Sequence, residues 1–127
     1  MCKVIGIGTD LCAVSRMERA IAREHFVNRV FLEGERAYLH SRGRAAAQSA
    51  AAMFAAKEAV AKALGTGFSG GVMPWTIEVT HSDAGAPGVA LHGEAAARLT
   101  RAGGTRVLLS LTHEGDTALA FALIQAE

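Results

Sequence analysis

The chain has 127 residues, half of them hydrophobic but only 6% aromatic, and a formal net charge of +1. This length, with no proline-rich, serine-rich or low-complexity break, predicts one domain over residues 1–127. Thirteen basic and twelve acidic side chains set up no global field that would draw the chain to nucleic acid.

Cys2 and Cys12 form no CxxC pair, no apolar run reaches the roughly 18 residues that span a bilayer, and no basic-then-hydrophobic leader is visible. A cytoplasmic protein with two free thiols and no membrane partner is therefore expected.

Lys3 to Asp10 mixes β-branched residues with Gly6 and Gly8, as in a strand that another backbone approaches closely, and Asp10 stands at its end. Ser15-Arg16-Met17-Glu18 has the form of a capping box and predicts a helix to about His25, with Arg16, Arg19 and Arg23 recurring along one face. A second, short helix is expected between Phe31 and Ser41. From Ala45 to Leu64, 11 of 20 residues are alanine, which predicts a long buried helix ending at Gly65-Thr66-Gly67.

After the glycine-rich stretch 67–71, strands are expected at 75–80 and 89–92, joined by a loop over 82–88. A helix over 93–102 follows, then a hairpin of 106–112 and 117–125 turning through His113-Glu114-Gly115-Asp116. The order β-α-α-α-β-β-α-β-β predicts an α+β fold with a mixed or antiparallel sheet and packed helices. A mean hydropathy of +0.23 in so small a chain favours an oligomer.

Candidate chemistry centres on Glu58 and Lys62. Four residues apart on a helix, they share a face where one could hold a divalent cation and the other a phosphate oxygen. An ordinary Glu–Lys surface pair has the same spacing, but Lys57, Glu58 and Lys62 are the only charges in the alanine-rich stretch. Asp10 is either a second hard ligand or a turn aspartate. His113, at a strand end, is either a site residue or a satisfied turn histidine. His25, His40, His81 and His92 show no metal-ligand spacing and read as surface or packing residues, so no zinc site is expected.

Three motifs now stand in order: Gly6-Ile7-Gly8-Thr9-Asp10-Leu11, Phe54-Ala55-Ala56-Lys57-Glu58-Ala59 through Lys62 to Gly65-Thr66-Gly67, and Ser110-Leu111-Thr112-His113. Together they resemble the holo-acyl-carrier-protein synthases, the short, single-module branch of the 4'-phosphopantetheinyl transferase superfamily. The resemblance implies the fold of that superfamily, a homotrimer with active sites between protomers, and magnesium (or manganese) and coenzyme A as requirements. It implies transfer of 4'-phosphopantetheine to a serine of an apo acyl carrier protein, with adenosine 3',5'-bisphosphate leaving.

By matching motif, Asp10 and Glu58 would ligate the metal, Lys62 would neutralise phosphate charge and His113 would lie beside the same group. Gly65, Ser110, Gly85, Pro87 and Arg44 would contact the substrate, and Arg16, Arg19 and Arg23 would dock the acidic carrier. A metal held by two carboxylates, with a lysine, suits phosphoryl transfer, which needs positioning and charge stabilisation more than covalent help. The general base is a metal-bound water, Glu58 or a carboxylate of the carrier.

Two departures concern the nucleotide contacts. Met53 replaces the arginine that many relatives carry before the middle motif, and the usual histidine three residues before Ser110 is missing from Val107-Leu108-Leu109. Arg42 or Arg44 is the substitute expected at the 3'-phosphate. Two other readings compete with the enzyme: a nucleotide-holding sensor, and an oligomer packed on alanine-rich helices that leaves the motifs unexplained.

Overall fold

The structure is a computed structural model and describes residues 2–127. Strand β1 (Lys3–Ala13) leads into helices α1 (Val14–Ile21), α2 (Glu24–Val30) and α3 (Glu33–Ser41), and a 3-10 turn at Gly43–Ala45 opens the long α4 (Ala46–Ala63). A second 3-10 turn (Pro74–Thr76) precedes the hairpin β2 (Ile77–His81) and β3 (Pro87–Leu91). Helix α5 (Gly93–Arg101) and the hairpin β4 (Arg106–Glu114) and β5 (Thr117–Ala126) complete the chain. The α+β class is as expected. All pairings are antiparallel, in a three-stranded sheet of order β1-β5-β4 and a separate β2-β3 pair.

The core forms where α4 lies on the inner face of the larger sheet. Ala50, Ala51, Ala55, Ala56, Ala59 and Ala61 are buried on the helix, and Ala118, Ala120 and Ala122 are buried on β5. Small side chains on both sides let the two backbones approach, and Gly6 and Gly8 carry this to its limit. A Cβ on Gly6 would stand far inside van der Waals contact of the Ala63 carbonyl oxygen, and one on Gly8 would meet that of Ala59.

Several element boundaries differ from expectation. Ser15 caps nothing: Ala13 is the N-cap of α1, and the Ser15 amide and hydroxyl both donate to the Asp116 carboxylate, at 2.8 and 2.6 Å. The helix expected to reach His25 stops at Ile21, because Arg23 is extended (φ −99°, ψ 114°) and α2 starts afresh at Glu24. Residues 74–76 form a 3-10 turn led by Pro74 rather than the start of a strand. Among the described residues no helix is long and apolar enough to cross a membrane.

The outer face of the three-stranded sheet carries no helix-packing alanines. Register places Ile7, Leu123 and Leu108 in one row across it, Thr9, Phe121 and Ser110 in the next, and Leu11, Leu119 and Thr112 in a third. Ile7 is 62% and Leu11 63% exposed, so this apolar face is open in the isolated chain.

Candidate functional site

Asp10 projects from the inner face of β1, two residues beyond Gly8, and Glu58 precedes Ala59, the residue that receives Gly8. The close backbone contact therefore brings the two carboxylates together. Lys62, one turn further along α4, donates from Nζ to Asp10 Oδ1 at 3.1 Å and to the Thr9 carbonyl at 3.0 Å. Glu58 and Lys62 line the same groove, and Lys62 pairs with Asp10 with Glu58 beside it. Asp10 is largely covered while Lys62 is half exposed, so the lysine head can swing towards an incoming anion.

Glu58 is perturbed by this environment. Burial first, then the hydrogen bond and negative charge of Asp10, push its carboxyl up to about 7, against the pull of Lys62 and Arg16. Burial and the Asp10 carboxylate outweigh the two nearby cations, so this carboxyl pair would gain from a further positive charge. Among the described residues no group of three or more His, Cys, Asp or Glu side chains gathers. A hard cation here would take two carboxylate oxygens from the chain and complete its shell with water and phosphate oxygens, a usual arrangement for magnesium.

The shifted Glu58 has a measurable consequence. The folded state keeps a proton up to about pH 7, whereas the unfolded chain releases it near 4.5. Metal-free protein is therefore expected to lose stability as pH rises from about 4.5 to 7 and to level off above, because the folded state binds more protons over that window. Glu58→Gln should remove this slope, and magnesium should raise the melting temperature more at pH 8 than at pH 5.5. Melting curves in chelator that are flat between those pH values would contradict the carboxyl pair.

Beside the carboxylates, a groove of about 150 Å³ is lined by Glu58, Ala61, Lys62, Gly67 and Phe68. Gly65 itself is not on its wall. With φ +84° it forms the left-handed exit from α4, held where Arg98 Nε donates to the Leu64 carbonyl at 3.1 Å. On the other side, Cys12, Arg16, Met17, Arg19, Ala20, Arg23, Phe26 and Phe54 enclose a hollow of about 430 Å³. The three arginines do share one surface, although Arg23 reaches it from the link after α1 rather than from the helix. Burial pushes the Cys12 thiol up, so it sits in this wall as a small apolar group.

His113 is elsewhere. It lies on β4, at the edge of the sheet opposite β1, in a cleft of about 290 Å³ with Tyr38, Arg42, Ser49, His81, Gly85 and Pro87 on its walls. Arg42 is the arginine on this wall, fixed by a 3.1 Å bond from Nε to Ser49 Oγ, and exposed Arg44 is not. Ser110 faces the outer side of the sheet, opposite Phe121.

His81, read from the sequence as a surface or packing residue, stacks on Tyr38 at 3.8 Å between ring centres. Burial, then the Arg42 charge, holds its imidazole below the usual histidine value. No spacing signal marks it, because Tyr38 and His81 meet only when α3 packs on β2.

A family model described as the 4'-phosphopantetheinyl transferase superfamily matches residues 6–122. A protein from Desulforudis audaxviator named holo-[acyl-carrier-protein] synthase is 50% identical over 123 residues, covering 94% of this chain and 92% of that one. The crystal structure of the holo-[acyl-carrier-protein] synthase from Neisseria meningitidis superposes with a TM-score of 0.85 at 35% identity, covering 96% and 98% of the two chains. That of a Bacillus anthracis holo-(acyl-carrier-protein) synthase in complex with CoA (3',5'-ADP) gives 0.81 at 30% identity, covering 98% of each. With a family model spanning nearly the whole sequence, a relative identical at half its positions, and Asp10, Glu58 and Lys62 gathered on one patch, the chain belongs to the 4'-phosphopantetheinyl transferase superfamily.

Proposed function

We propose that this chain, acting as a single domain over residues 1–127, is a holo-[acyl-carrier-protein] synthase. It transfers the 4'-phosphopantetheine arm of coenzyme A to a serine of an apo acyl carrier protein. The Asp10–Glu58–Lys62 patch carries the reading, because two adjoining carboxylates and a half-exposed lysine suit a metal-bound pyrophosphate. Magnesium held by Asp10 and Glu58 would neutralise pyrophosphate charge.

Lys62 leaves Asp10 to meet a phosphate oxygen, and the apolar groove past Glu58 to Gly67 and Phe68 takes the pantetheine arm. The carrier serine oxygen forms a bond to the β-phosphorus and gives up its proton to the general base (Glu58, a metal-bound water or a carboxylate of the carrier) as the bond to adenosine 3',5'-bisphosphate breaks. The test is to incubate the protein with coenzyme A, magnesium and an apo carrier and to weigh the carrier by mass spectrometry. A gain of one phosphopantetheine is expected, and an unchanged carrier mass would overturn the reading.

Two features support a homotrimer with shared sites. The family resemblance implies sites shared between protomers, with the coenzyme A phosphates on the Asp10 patch of one and its nucleotide in the Arg42–His113 cleft of the next. The open rows around Phe121 offer apolar area for that contact. Sedimentation equilibrium should give a trimer, and Phe121→Lys should give monomers with little activity. An active wild-type monomer at nanomolar concentration would rule out shared sites. Two free cysteines suit the reducing cytoplasm.

Arg16, Arg19 and Arg23 around the hollow beside the carboxylates suit an acidic helix of the carrier. Arg16→Glu with Arg23→Glu is expected to raise KM for the carrier about tenfold at low salt and to flatten its salt dependence, since exposed charges act by steering. KM for coenzyme A should change little. Normal carrier KM in this double variant would reduce the arginines to solvated charges.

A further inference from the structure

Among the described residues, Lys57 and Glu35 are the two fully buried charged side chains, and the proposed chemistry uses neither. Lys57 precedes Glu58 on α4 but points away from the carboxylate patch. Its Nζ donates to Glu35 Oε1 at 2.8 Å, to the Pro74 carbonyl at 2.9 Å and to the Ile77 carbonyl, so all three of its protons are placed. Glu35 is equally complete: Oε1 also accepts from the Leu32 amide at 2.9 Å, and Oε2 accepts from the Val79 amide at 2.8 Å. Burial pulls the Lys57 ammonium down and Glu35 holds it up, and three surrounding oxygen acceptors suit the charged form.

This network joins the pieces that carry both halves of the site. Glu35 and Tyr38 follow at helical spacing along α3, and Arg42 caps its C-terminal end. Val79 and His81 alternate along β2 and share a strand face. Tyr38, Arg42 and His81 line the cleft that holds His113, while Lys57 sits between Ala56 and Glu58 on the helix that also supplies Lys62. One buried carboxylate thus ties the start of α3, the start of β2 and the middle of α4 to a single point.

Resting on the transferase reading, we propose that the Glu35–Lys57 pair is a positioning pair. It touches no substrate, and it sets the register of α4 against α3 and β2, so that the carboxylate patch and the nucleotide cleft keep their places relative to each other. Nonpolar packing alone could bury this region, but it would leave the Leu32 and Val79 amides and the Pro74 and Ile77 carbonyls without these partners, and it would not select one axial setting of an alanine-rich helix.

Glu35→Gln is the discriminating variant. Both carboxylate oxygens only accept, and the isosteric amide must turn its NH2 towards either the Val79 amide or the Lys57 and Leu32 donors. At 15 °C, with folding followed by circular dichroism, the variant is expected to show at least a tenfold rise in KM for coenzyme A. It should also show at least a tenfold loss of Mn2+ binding, read by electron paramagnetic resonance in the presence of coenzyme A. KM for the carrier should stay within twofold. A merely structural role would lower the active fraction and leave all three constants unchanged.

Lys57→Met, which keeps the apolar stem, is read in the same way if Glu35→Gln does not fold. Coenzyme A and Mn2+ constants within twofold of wild type in a folded variant overturn the proposal. So does failure of both variants to fold at 15 °C, since the pair is then a folding element. If the wild type itself does not modify an apo carrier, the transferase reading fails instead, a different result from an active wild type with an indifferent variant.

Discussion

Asp10→Ala and Glu58→Ala should each slow phosphopantetheine transfer by about 100-fold or more, because each removes one of the two oxygen donors proposed to hold the metal, where charge stabilisation dominates the chemistry. The fold should survive both changes. Asp10 has the half-exposed Lys62 as its partner, and Glu58 in the metal-free protein is a crowded carboxyl whose removal relieves repulsion. Glu58→Ala is therefore expected to melt at or above the wild-type temperature at pH 8 in chelator while remaining inactive with magnesium. Rates from carrier mass spectra, set beside melting curves, check both halves. Near-normal transfer in both variants, or full wild-type activity in excess chelator, would remove the metal site.

The second large effect is expected from Gly8→Ala. The added methyl would meet the Ala59 carbonyl oxygen, a backbone atom that no rotamer change can move aside, so α4 must lift from the sheet. Overpacking of this kind costs about 3 kcal/mol, a large part of the stability of a small domain. Gly34→Ala provides the contrast, since its new methyl would approach only the tip of the Glu78 side chain, which can turn away. Urea midpoints for the two variants should separate clearly. A wild-type midpoint for Gly8→Ala would show that the helix and strand part freely.

Much of the site was legible because its signals are local. Gly6 and Gly8 announced a close backbone approach, the alanine run announced the helix that makes it, and the first two motifs placed Asp10, Glu58 and Lys62. What stayed hidden depends on contacts far apart in the chain. The pairing of Lys62 with Asp10 spans 52 residues, and that of Lys57 with Glu35 spans 22. A buried lysine in a helix looks in sequence like an exposed one. Tyr38 and His81 have no motif linking them. The break at Ala22–Arg23 escaped because arginine and alanine are both good helix formers, so no local preference marks it. The apparent capping box failed in the same way, as Asp116 from the distant β4–β5 turn took the Ser15 hydroxyl.

The glycine–carbonyl contact between β1 and α4 also bears on how this catalyst should age under heat. Gly8 lies two residues from Asp10, and its opposite number Ala59 lies beside Glu58, so the spacing of the donor oxygens is a direct copy of the spacing between two main chains. Only the short Asp10 and Glu58 side chains lie in that path to absorb a drift of the helix. Warming that only loosens this joint, well before the sheet comes apart, would already spread the two carboxyls and weaken their hold on a cation. Heat inactivation should therefore run ahead of loss of circular dichroism, and added magnesium, by bridging strand to helix, should narrow the gap between the two.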